Sequence, residues 1–240
     1  MAFKRKPVYK KRRATKRVKR TPTKRIARVV RRVIARTAET KYKEFALENQ
    51  QVFHNGGTII PAQYTYQQAS NMLTLAQGQD VNGRIGDEVY AIGLSIRLWL
   101  SQKLDRPNVA WRIVVYSYPY DVGDATGATD LFDSTVGFGF NRLLNAINKE
   151  RYRVLYDKTL SPLSGDYSLE VSSTQRERSR MHNIWIPLKR KIQYRQNSAN
   201  PKNDRDRLGL ALIPYDAFGT LTTDNIASFA IYNRYFYKDM

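Results

Sequence analysis

The sequence contains no cysteine and only two histidines, His54 and His182. Without cysteine the chain forms no disulfide, no Cys-ligated zinc site and no thiol nucleophile. Two isolated histidines supply too few ligands for a zinc site, and their positions are more typical of surface or turn residues than of a Ser-His-Asp set. A Walker-type phosphate loop is also missing. We therefore expect no enzymatic activity and no cofactor.

Long apolar runs and N-terminal acids are missing as well. No apolar stretch approaches the roughly 20 residues that span a bilayer, so we expect no stable membrane insertion. The first acid is Glu39, whereas the first 36 residues hold seventeen of the 41 Lys and Arg. The remaining residues contain 24 basic and 21 acidic side chains, a net charge of +3 out of +20. The sequence thus describes a nearly neutral body with a polycation attached.

The polycation predicts a nucleic-acid-binding arm. Dense like charge repels itself, stays extended in isolation and is neutralised by a polyanion. A phosphate backbone suits this role because each neutralised phosphate releases a condensed counterion, whatever the base sequence. The predicted nucleic-acid-binding residues are Lys4, Arg5, Lys6, Lys10, Lys11, Arg12, Arg13, Lys16, Arg17, Lys19, Arg20, Lys24, Arg25, Arg28, Arg31, Arg32 and Arg36.

Compact clusters within this arm also match the pattern that nuclear import receptors recognise, although any polycationic arm contains such clusters. The predicted nuclear localisation residues are Lys10, Lys11, Arg12, Arg13, Lys16, Arg17, Lys19 and Arg20.

The arm, residues 1–38, has two predicted parts. Residues 1–23 contain Pro7 and Pro22 and lack an apolar period, so we expect disorder. Residues 24–36 place apolar side chains at helical spacing after Thr23, a plausible N-cap. These side chains are Ile26, Val29, Val30, Val33 and Ile34. Such a basic amphipathic helix suits nucleic acid, a membrane surface or a simple connection to the body.

From residue 39 to residue 240 the apolar period changes to two, which predicts β-strands. Phe45, Leu47 and Phe53 are expected on one side of a first strand. Pro187 predicts an edge position or a bulge in its strand. The other predicted strands are Tyr90–Leu100, Val109–Tyr118, Tyr152–Asp157, Tyr167–Val171, Ile184–Tyr194, Leu208–Ile213 and Ser228–Tyr237.

The pattern of these strands predicts the fold class. The segment Val109–Tyr118 is nearly all apolar, as expected for a central strand buried on both faces. One short helix is predicted at Phe140–Lys149. Eight antiparallel strands with long and unequal connections predict an all-β, eight-stranded jelly-roll sandwich for residues 39–240.

Four groups of side chains in the body have both a functional and a structural interpretation. An acidic loop is a weak calcium candidate, although Asp is also a common turn former; its residues are Asp121, Asp124, Asp130 and Asp133. Trp99, Trp111 and Trp185 are more typical of core or subunit contacts than of base-stacking platforms. The segment Tyr232–Lys238 interleaves rings and charges as single-strand binders do, although half of its rings must face the core. Residues 175–180 are predicted as a polar, basic loop, which suits either the binding of an acidic receptor glycan or a simple solvated connection.

Three segments resemble a known family. Residues 75–86, LAQGQDVNGRIG, resemble the "QG…RxG" turn before a long core strand in capsid proteins of small circular single-stranded DNA viruses, the circovirus-like group. Residues 148–158, NKERYRVLYDK, resemble the "RFxVLxDK" strand of those capsids. Val109–Pro119 is similar to their "RxxVxxD" strand, from which residues 118–121 depart in detail.

The resemblance implies a jelly roll of which roughly sixty copies close a small icosahedral shell, with the arm turned inward onto the genome. The expected partners are the chain itself and a single-stranded DNA genome, together with host nuclear import receptors for the basic clusters and a host-surface receptor or acidic glycan. The expected locations are the virion and, during assembly, the host nucleus. A coat protein of a single-stranded RNA satellite virus suits the same pattern. Alternatives of other classes are a cellular basic nucleic-acid-binding protein and a cationic membrane-active protein.

Overall fold

The computed structural model describes residues 26, 29, 39–56, 58–60, 72–80, 82–103, 106, 108–118, 131–133, 141–162, 178–203, 206–219, 221 and 223–239. The chain divides into two units, Met1–Thr37 and Ala38–Met240. In the first unit the described residues are Ile26 and Val29, both in helical conformation and exposed.

The described residues of the second unit form eight strands. They are β1 (Lys41–Phe53), β2 (Thr58–Ile60), β3 (Glu88–Gln102), β4 (Val109–Ser117), β5 (Arg153–Leu160), β6 (Arg178–Gln193), β7 (Leu208–Asp216) and β8 (Asn225–Asp239). One sheet has the order β1-β8-β3-β6 and the other the order β2-β7-β4-β5. All of the strand pairs are antiparallel. This interleaved order is that of a jelly roll, and it confirms the predicted fold class.

The core lies between the two sheets and follows the alternation of the strands. In β3 the side chains of Leu94, Ile96, Leu98 and Leu100 point inward and are essentially inaccessible to solvent. They pack against residues of β4, β6, β7 and β8 in one hydrophobic cluster. Every second residue of β3 therefore faces outward, and these outward positions form a surface of their own.

Strands β4 and β7 of the second sheet are covered on both faces, as the sequence of β4 predicts. A smaller cluster packs Val114, Tyr116, Ala211 and Ile213 on the side away from the main core. Residues of the segment before β5 cover them, including Phe132. The nearly continuous apolar run of β4 is explained by this second layer.

The strand that contains Pro187 combines both features that the proline predicts. Strand β6 is at the edge of its sheet. Its register against β3 shifts between Ala91 and Gly93, and Lys189 adopts a φ of 46° beside the shift. Because proline donates no hydrogen bond, it is accommodated at such an edge and bulge.

The predicted orientation of Phe53 is wrong. Phe45 and Leu47 do pack against the core, but Phe53 is 46% exposed and Val52 is buried instead. A register shift between Leu47 and Gln50 inserts one extra residue into β1. Since a one-residue slip exchanges the two faces of a strand, the end of β1 presents the opposite side chains to the core.

Other local predictions need correction. The helix expected at Phe140–Lys149 is not found over residues 141–149, where turns surround an isolated bridge from Ile147 to Phe132. The amide of Leu144 instead bonds to the carbonyl of Asn141, as in a tight turn. Strand β2 was not predicted, and the predicted strand Tyr167–Val171 lies outside the described residues. The segment 175–180, expected as a loop, enters β6 at Arg178.

Candidate nucleic-acid interface

The seventeen predicted nucleic-acid-binding cations of the arm, of which Lys4 is the first and Arg36 the last, lie outside the described residues. The nuclear localisation clusters among them therefore lie outside as well. Three calcium candidates, Asp121, Asp124 and Asp130, lie outside them as well. Asp133 is described, and its backbone amide donates a hydrogen bond to the carbonyl of Ala146. The described residues bring no group of three potential metal ligands together.

The outward side of the β1-β8-β3-β6 sheet carries a cluster of rings, which we call the aromatic face. Its residues are Tyr42, Trp99, Trp185, Tyr232 and Phe236. The ring of Phe236 has its centroid 6.2 Å from that of Tyr42 and 5.8 Å from that of Trp185. Trp99 and Trp185 are 56% and 51% exposed. The third tryptophan, Trp111, is buried in the core.

The indole ring of Trp185 occupies a defined position on the aromatic face. Trp185 pairs with Ser95 of β3, and its indole reaches over Gly93 toward Phe236 on β8. A Cβ atom at position 93 would stand 2.5 Å from Cζ2 of Trp185. Glycine at position 93 therefore provides the space that the indole occupies, with half of the ring surface open to solvent.

Two cationic side chains, Arg234 and Arg97, lie among the rings of the aromatic face. The guanidinium of Arg234 is 5.1 Å from the ring centroid of Tyr42 and 5.2 Å from that of Tyr232, which is cation–π distance. Arg97 lies opposite Tyr232 in the register and is exposed. Within the described part of the chain, no carboxylate forms an ion pair with Arg97.

One carboxylate on the aromatic face is held in a small network. Glu44 accepts hydrogen bonds from the hydroxyl of Tyr232 and forms an ion pair of 2.7 Å with Arg234. The hydrogen bond from Tyr232 and the charge of Arg234 lower the pKa of Glu44. The same hydrogen bond raises the pKa of Tyr232. This network orders the ring of Tyr232, and the positive charge of Arg234 offsets the negative charge of Glu44.

The tail segment Tyr232–Lys238 divides between core and surface. Tyr235 and Tyr237 point into the core, and burial raises the pKa of each. The hydroxyl of Tyr237 donates to the carbonyl of Gly83 at 3.0 Å. Tyr232, Arg234 and Phe236 stay on the outward side. The alternation expected for a strand is thus present, and this segment contributes two rings to the aromatic face with Arg234 between them.

The "QG…RxG" segment has a structural role. Arg84 is completely buried and donates hydrogen bonds to the carbonyls of Gly86, Arg195 and Ser198 at 2.6, 3.0 and 3.0 Å. It also pairs with Asp87 at 2.8 Å and lies 5.0 Å from the ring centroid of Tyr194. Arg84 therefore fastens the loop before β3 to the loop after β6.

The "RFxVLxDK" segment has a structural role too. Asp157 receives two hydrogen bonds from Arg112, at 3.0 and 2.8 Å, in the bidentate arrangement that guanidinium and carboxylate favour. The remaining terminal nitrogen of Arg112 donates to the carbonyls of Arg142, Leu143 and Asn145. Together these contacts tie the segment before β5 onto the outer side of β4.

The two histidines have structural partners. Nδ1 of His54 accepts a hydrogen bond from the backbone amide of Asp216 at 3.2 Å, and its ring packs against Tyr215. Nε2 of His182 lies 2.7 Å from the hydroxyl of Tyr156. Burial lowers the pKa of His182, and nearby Lys158 and Arg180 lower it further. A backbone amide and a phenol, rather than carboxylates, thus orient these rings.

Two further surfaces have a distinct composition. A cleft of about 720 Å³ runs between the start of β5 and the middle of β6 and is lined by Lys149, Arg151, Arg153 and Arg190. Arg190 there pairs with Asp206 at 2.9 Å. At one end of the sandwich, exposed apolar side chains lie at the end of β1 and on loops that hydrogen bonds connect. These end-loop side chains are Phe53, Leu144, Phe218 and Leu221. Among the described residues, none forms a helix with the length and hydrophobicity of a membrane span.

No protein-family model and no curated protein matches the sequence. Solved structures do match. A chain from Desmodium yellow mottle tymovirus is 8% identical, with 100% of this chain and 93% of that chain covered and a TM-score of 0.32. A chain from a semi-empty virus-like particle of a Macrobrachium rosenbergii nodavirus is 9% identical, with coverages of 100% and 95% and a TM-score of 0.28. A chain from Mud Crab Dicistrovirus is 12% identical, with coverages of 98% and 81% and a TM-score of 0.26. The interleaved strand order supports the jelly roll by itself.

Proposed function

We propose that this chain is the subunit of a small icosahedral virus shell. The proposal depends on one observation, which is that two different parts occur in the same chain. One part is a jelly roll with a net charge near zero, and the other is an acid-free arm with seventeen cations. A jelly roll alone serves many functions, so the arm is needed for the assignment. The role is structural rather than enzymatic, and it requires no cofactor.

The arm, residues 1–38, packages the genome without reading its sequence. Seventeen cations on each of roughly sixty subunits amount to about 1000 positive charges, which offset a genome-scale number of phosphates. The nearly neutral jelly roll, residues 39–240, keeps repulsion between neighbouring subunits low. Binding of several arms to one polyanion also raises the local concentration of jelly rolls and favours their lateral contact.

The packaged polymer is single-stranded DNA in this proposal, because the segments 75–86 and 148–158 resemble those of the circovirus-like group. Import receptors would bind the clusters between Lys10 and Arg20 and bring the subunit to the host nucleus before it enters the virion. The cationic cleft lined by Arg151 and Arg153 is the part of the described surface that best suits an acidic receptor glycan. A single-stranded RNA genome would use the same arm chemistry, so the genome type is an outcome of the test.

The experiment compares the full chain with a length-matched variant in which the seventeen arm cations are replaced by Gln. A charge-retaining control exchanges Lys for Arg and Arg for Lys at the same positions. Each protein is purified, viewed by negative-stain microscopy and digested with DNase or RNase after disruption of any particles. We expect uniform shells with nuclease-sensitive contents from the wild type and the control, and no packaged nucleic acid in the Gln variant.

DNase-sensitive contents after production in the natural host would support the DNA assignment, and RNase-sensitive contents there would replace it with an RNA genome. If the Gln variant copurifies with nucleic acid at the same salt dependence as the wild type, the arm does not package. If the wild type stays monomeric with nucleic acid at every salt concentration, the chain is a cellular binding protein instead.

A further inference from the structure

The aromatic face has the composition of a surface that stacks bases. Its five rings come from β1, β3, β6 and β8 and lie on one side of one sheet. From Ser95, the partner of Trp185, to Trp99 is four residues, which is about 13 Å along the strand. Large exposed rings are depleted from ordinary soluble surfaces, and grouped ones indicate a binding site.

The charged side chains of the aromatic face favour an anionic partner. Arg234 stacks between two rings, while its charge is offset by Glu44. Arg97 stands at the centre of the face, exposed and without a described carboxylate partner. Lys191, at the margin, pairs with Glu88. An exposed arginine that lies opposite Tyr232 and two positions before Trp99 suits a polymer that alternates flat bases and phosphates.

A second copy of the chain is a poorer occupant of the aromatic face. A two-fold contact through this face would bring Arg97 close to the same residue of the other copy. Like charges brought together at an interface cost several kcal/mol. Exposed Phe218 and Leu221 at the end of the sandwich offer apolar contact surface without this penalty.

We infer that the aromatic face binds single-stranded nucleic acid by stacking, with Trp99 and Trp185 as the platforms and Arg97 as the phosphate contact. The inference rests on the proposed function for its partner, and it adds a second site to the arm. The arm supplies sequence-independent charge, whereas the aromatic face holds unpaired bases. Selection of single strands over duplex is the expected consequence, because bases within a duplex are already stacked.

The test uses tryptophan fluorescence of the full chain at about 0.5 M NaCl, where counterion release contributes little to binding by the arm. The chain has three tryptophans, and the core residue Trp111 is shielded. We titrate with oligo(dT), an abasic oligonucleotide of equal length, duplex DNA and heparin. We expect oligo(dT) to quench the emission and the other three polymers to leave it nearly unchanged.

Variants assign the quenching to residues. Trp99→Ala combined with Trp185→Ala removes the two reporter rings, so its binding is measured by the fluorescence anisotropy of a labelled oligo(dT) and should be weaker by about tenfold or more. Trp99→Ala alone, at an exposed position, and Arg97→Gln should each weaken binding severalfold without a change in thermal unfolding. Phe218→Ala, which removes an exposed ring at the end of the sandwich, is the matched control and should bind as the wild type does.

Quenching of equal size by heparin or by the abasic strand would overturn the inference and assign the face to polyanions or glycans. So would emission that changes with protein concentration alone, because a second copy then covers the face. Photo-crosslinks of an iodouracil-substituted oligonucleotide confined to residues 1–36 would also overturn it. That last result leaves the proposed function intact, whereas failure to form shells would remove the proposed function and leave base stacking measurable.

Discussion

At the scale of single residues, Arg84 shows how a buried charge fixes a loop. Its guanidinium is inaccessible to solvent and donates to three carbonyls and one carboxylate. Two of the carbonyl partners, Arg195 and Ser198, are more than 100 positions away in the sequence. Each bond to a charged donor contributes more than a neutral one, and its loss leaves buried acceptors unsatisfied.

We predict that Arg84→Met lowers the free energy of unfolding by about 2–4 kcal/mol, because methionine matches the length of the side chain but donates no hydrogen bond. Urea denaturation followed by circular dichroism measures the loss. Arg97→Met, at an exposed position in β3, is the matched control and should change stability by less than about 0.5 kcal/mol. Equal effects of the two substitutions would contradict the role assigned to Arg84.

His182 makes stability depend on pH. Burial and two nearby cations lower the pKa of His182 in the folded state below the ordinary value of 6.5. The unfolded chain therefore takes up the proton first as the pH falls below 6.5, and stability is lost from there downward. Nε2 of the ring also shares a hydrogen bond with the hydroxyl of Tyr156, 2.7 Å away.

We predict that His182→Gln reduces the loss of stability between pH 7.5 and pH 5.5. The difference should stay below about 1 kcal/mol, because the ring is only partly buried and solvent screens the charges. Urea denaturation at the two pH values measures it for both proteins. A wild type and a variant with parallel pH profiles would mean that other groups cause the acid sensitivity.

At the scale of elements, a bulge determines which side chains β1 gives to the core. Asn49 adopts a φ of 49° next to the register shift between Leu47 and Gln50. Asparagine tolerates this left-handed conformation, whereas β-branched residues do so at high cost. The extra residue turns Val52 inward and Phe53 outward. Phe53 thereby joins the exposed apolar side chains at the end of the sandwich.

We predict that Asn49→Ile destabilises the fold by about 1–2 kcal/mol, because the branched side chain is strained at positive φ. Asn49→Gly is the matched control and should stay within about 0.5 kcal/mol of the wild type, since glycine adopts this conformation freely. Chemical denaturation of both variants is the measurement. If Ile is tolerated as well as Gly, position 49 does not have the left-handed conformation.

At the scale of the whole molecule, assembly needs surfaces that are apolar and nearly neutral. The end-loop side chains lie close together because His54 bonds to Asp224 and Arg142 bonds to Asn55. Phe218 is the most exposed of them, at 76%. Under the proposed function, this end of the sandwich packs against a neighbouring copy.

We predict that Phe218→Asp prevents shell formation, because it places a charge in a desolvated contact, while thermal unfolding of the subunit stays unchanged. Phe218→Leu keeps an apolar side chain and should still assemble. Negative-stain microscopy and sedimentation report the particles. Shells of normal yield from Phe218→Asp would exclude this end of the sandwich as a subunit contact.

The sequence by itself determined the contrast between a polycationic arm and a neutral body, because charge is a sum over residues. It also determined most strands of the jelly roll, such as β3 and β4, because alternation along one segment follows from the period of that segment alone. Pro187 likewise predicted an edge and a bulge, since the absence of its amide proton is a local property.

Only the tertiary structure decided features that depend on pairing between distant segments. The inverted end of β1 follows from its register against β8, and the short strand β2 is defined by its pairing with β7. Turns replace the predicted helix at residues 141–149, because Arg112 of β4 donates hydrogen bonds to backbone carbonyl groups of this segment. The aromatic face unites Tyr42, Trp99, Trp185 and Phe236 from strands that are far apart in sequence and adjacent in the sheet. Local patterns do not encode such adjacency, because hydrogen bonding between strands sets it only when the whole chain has folded.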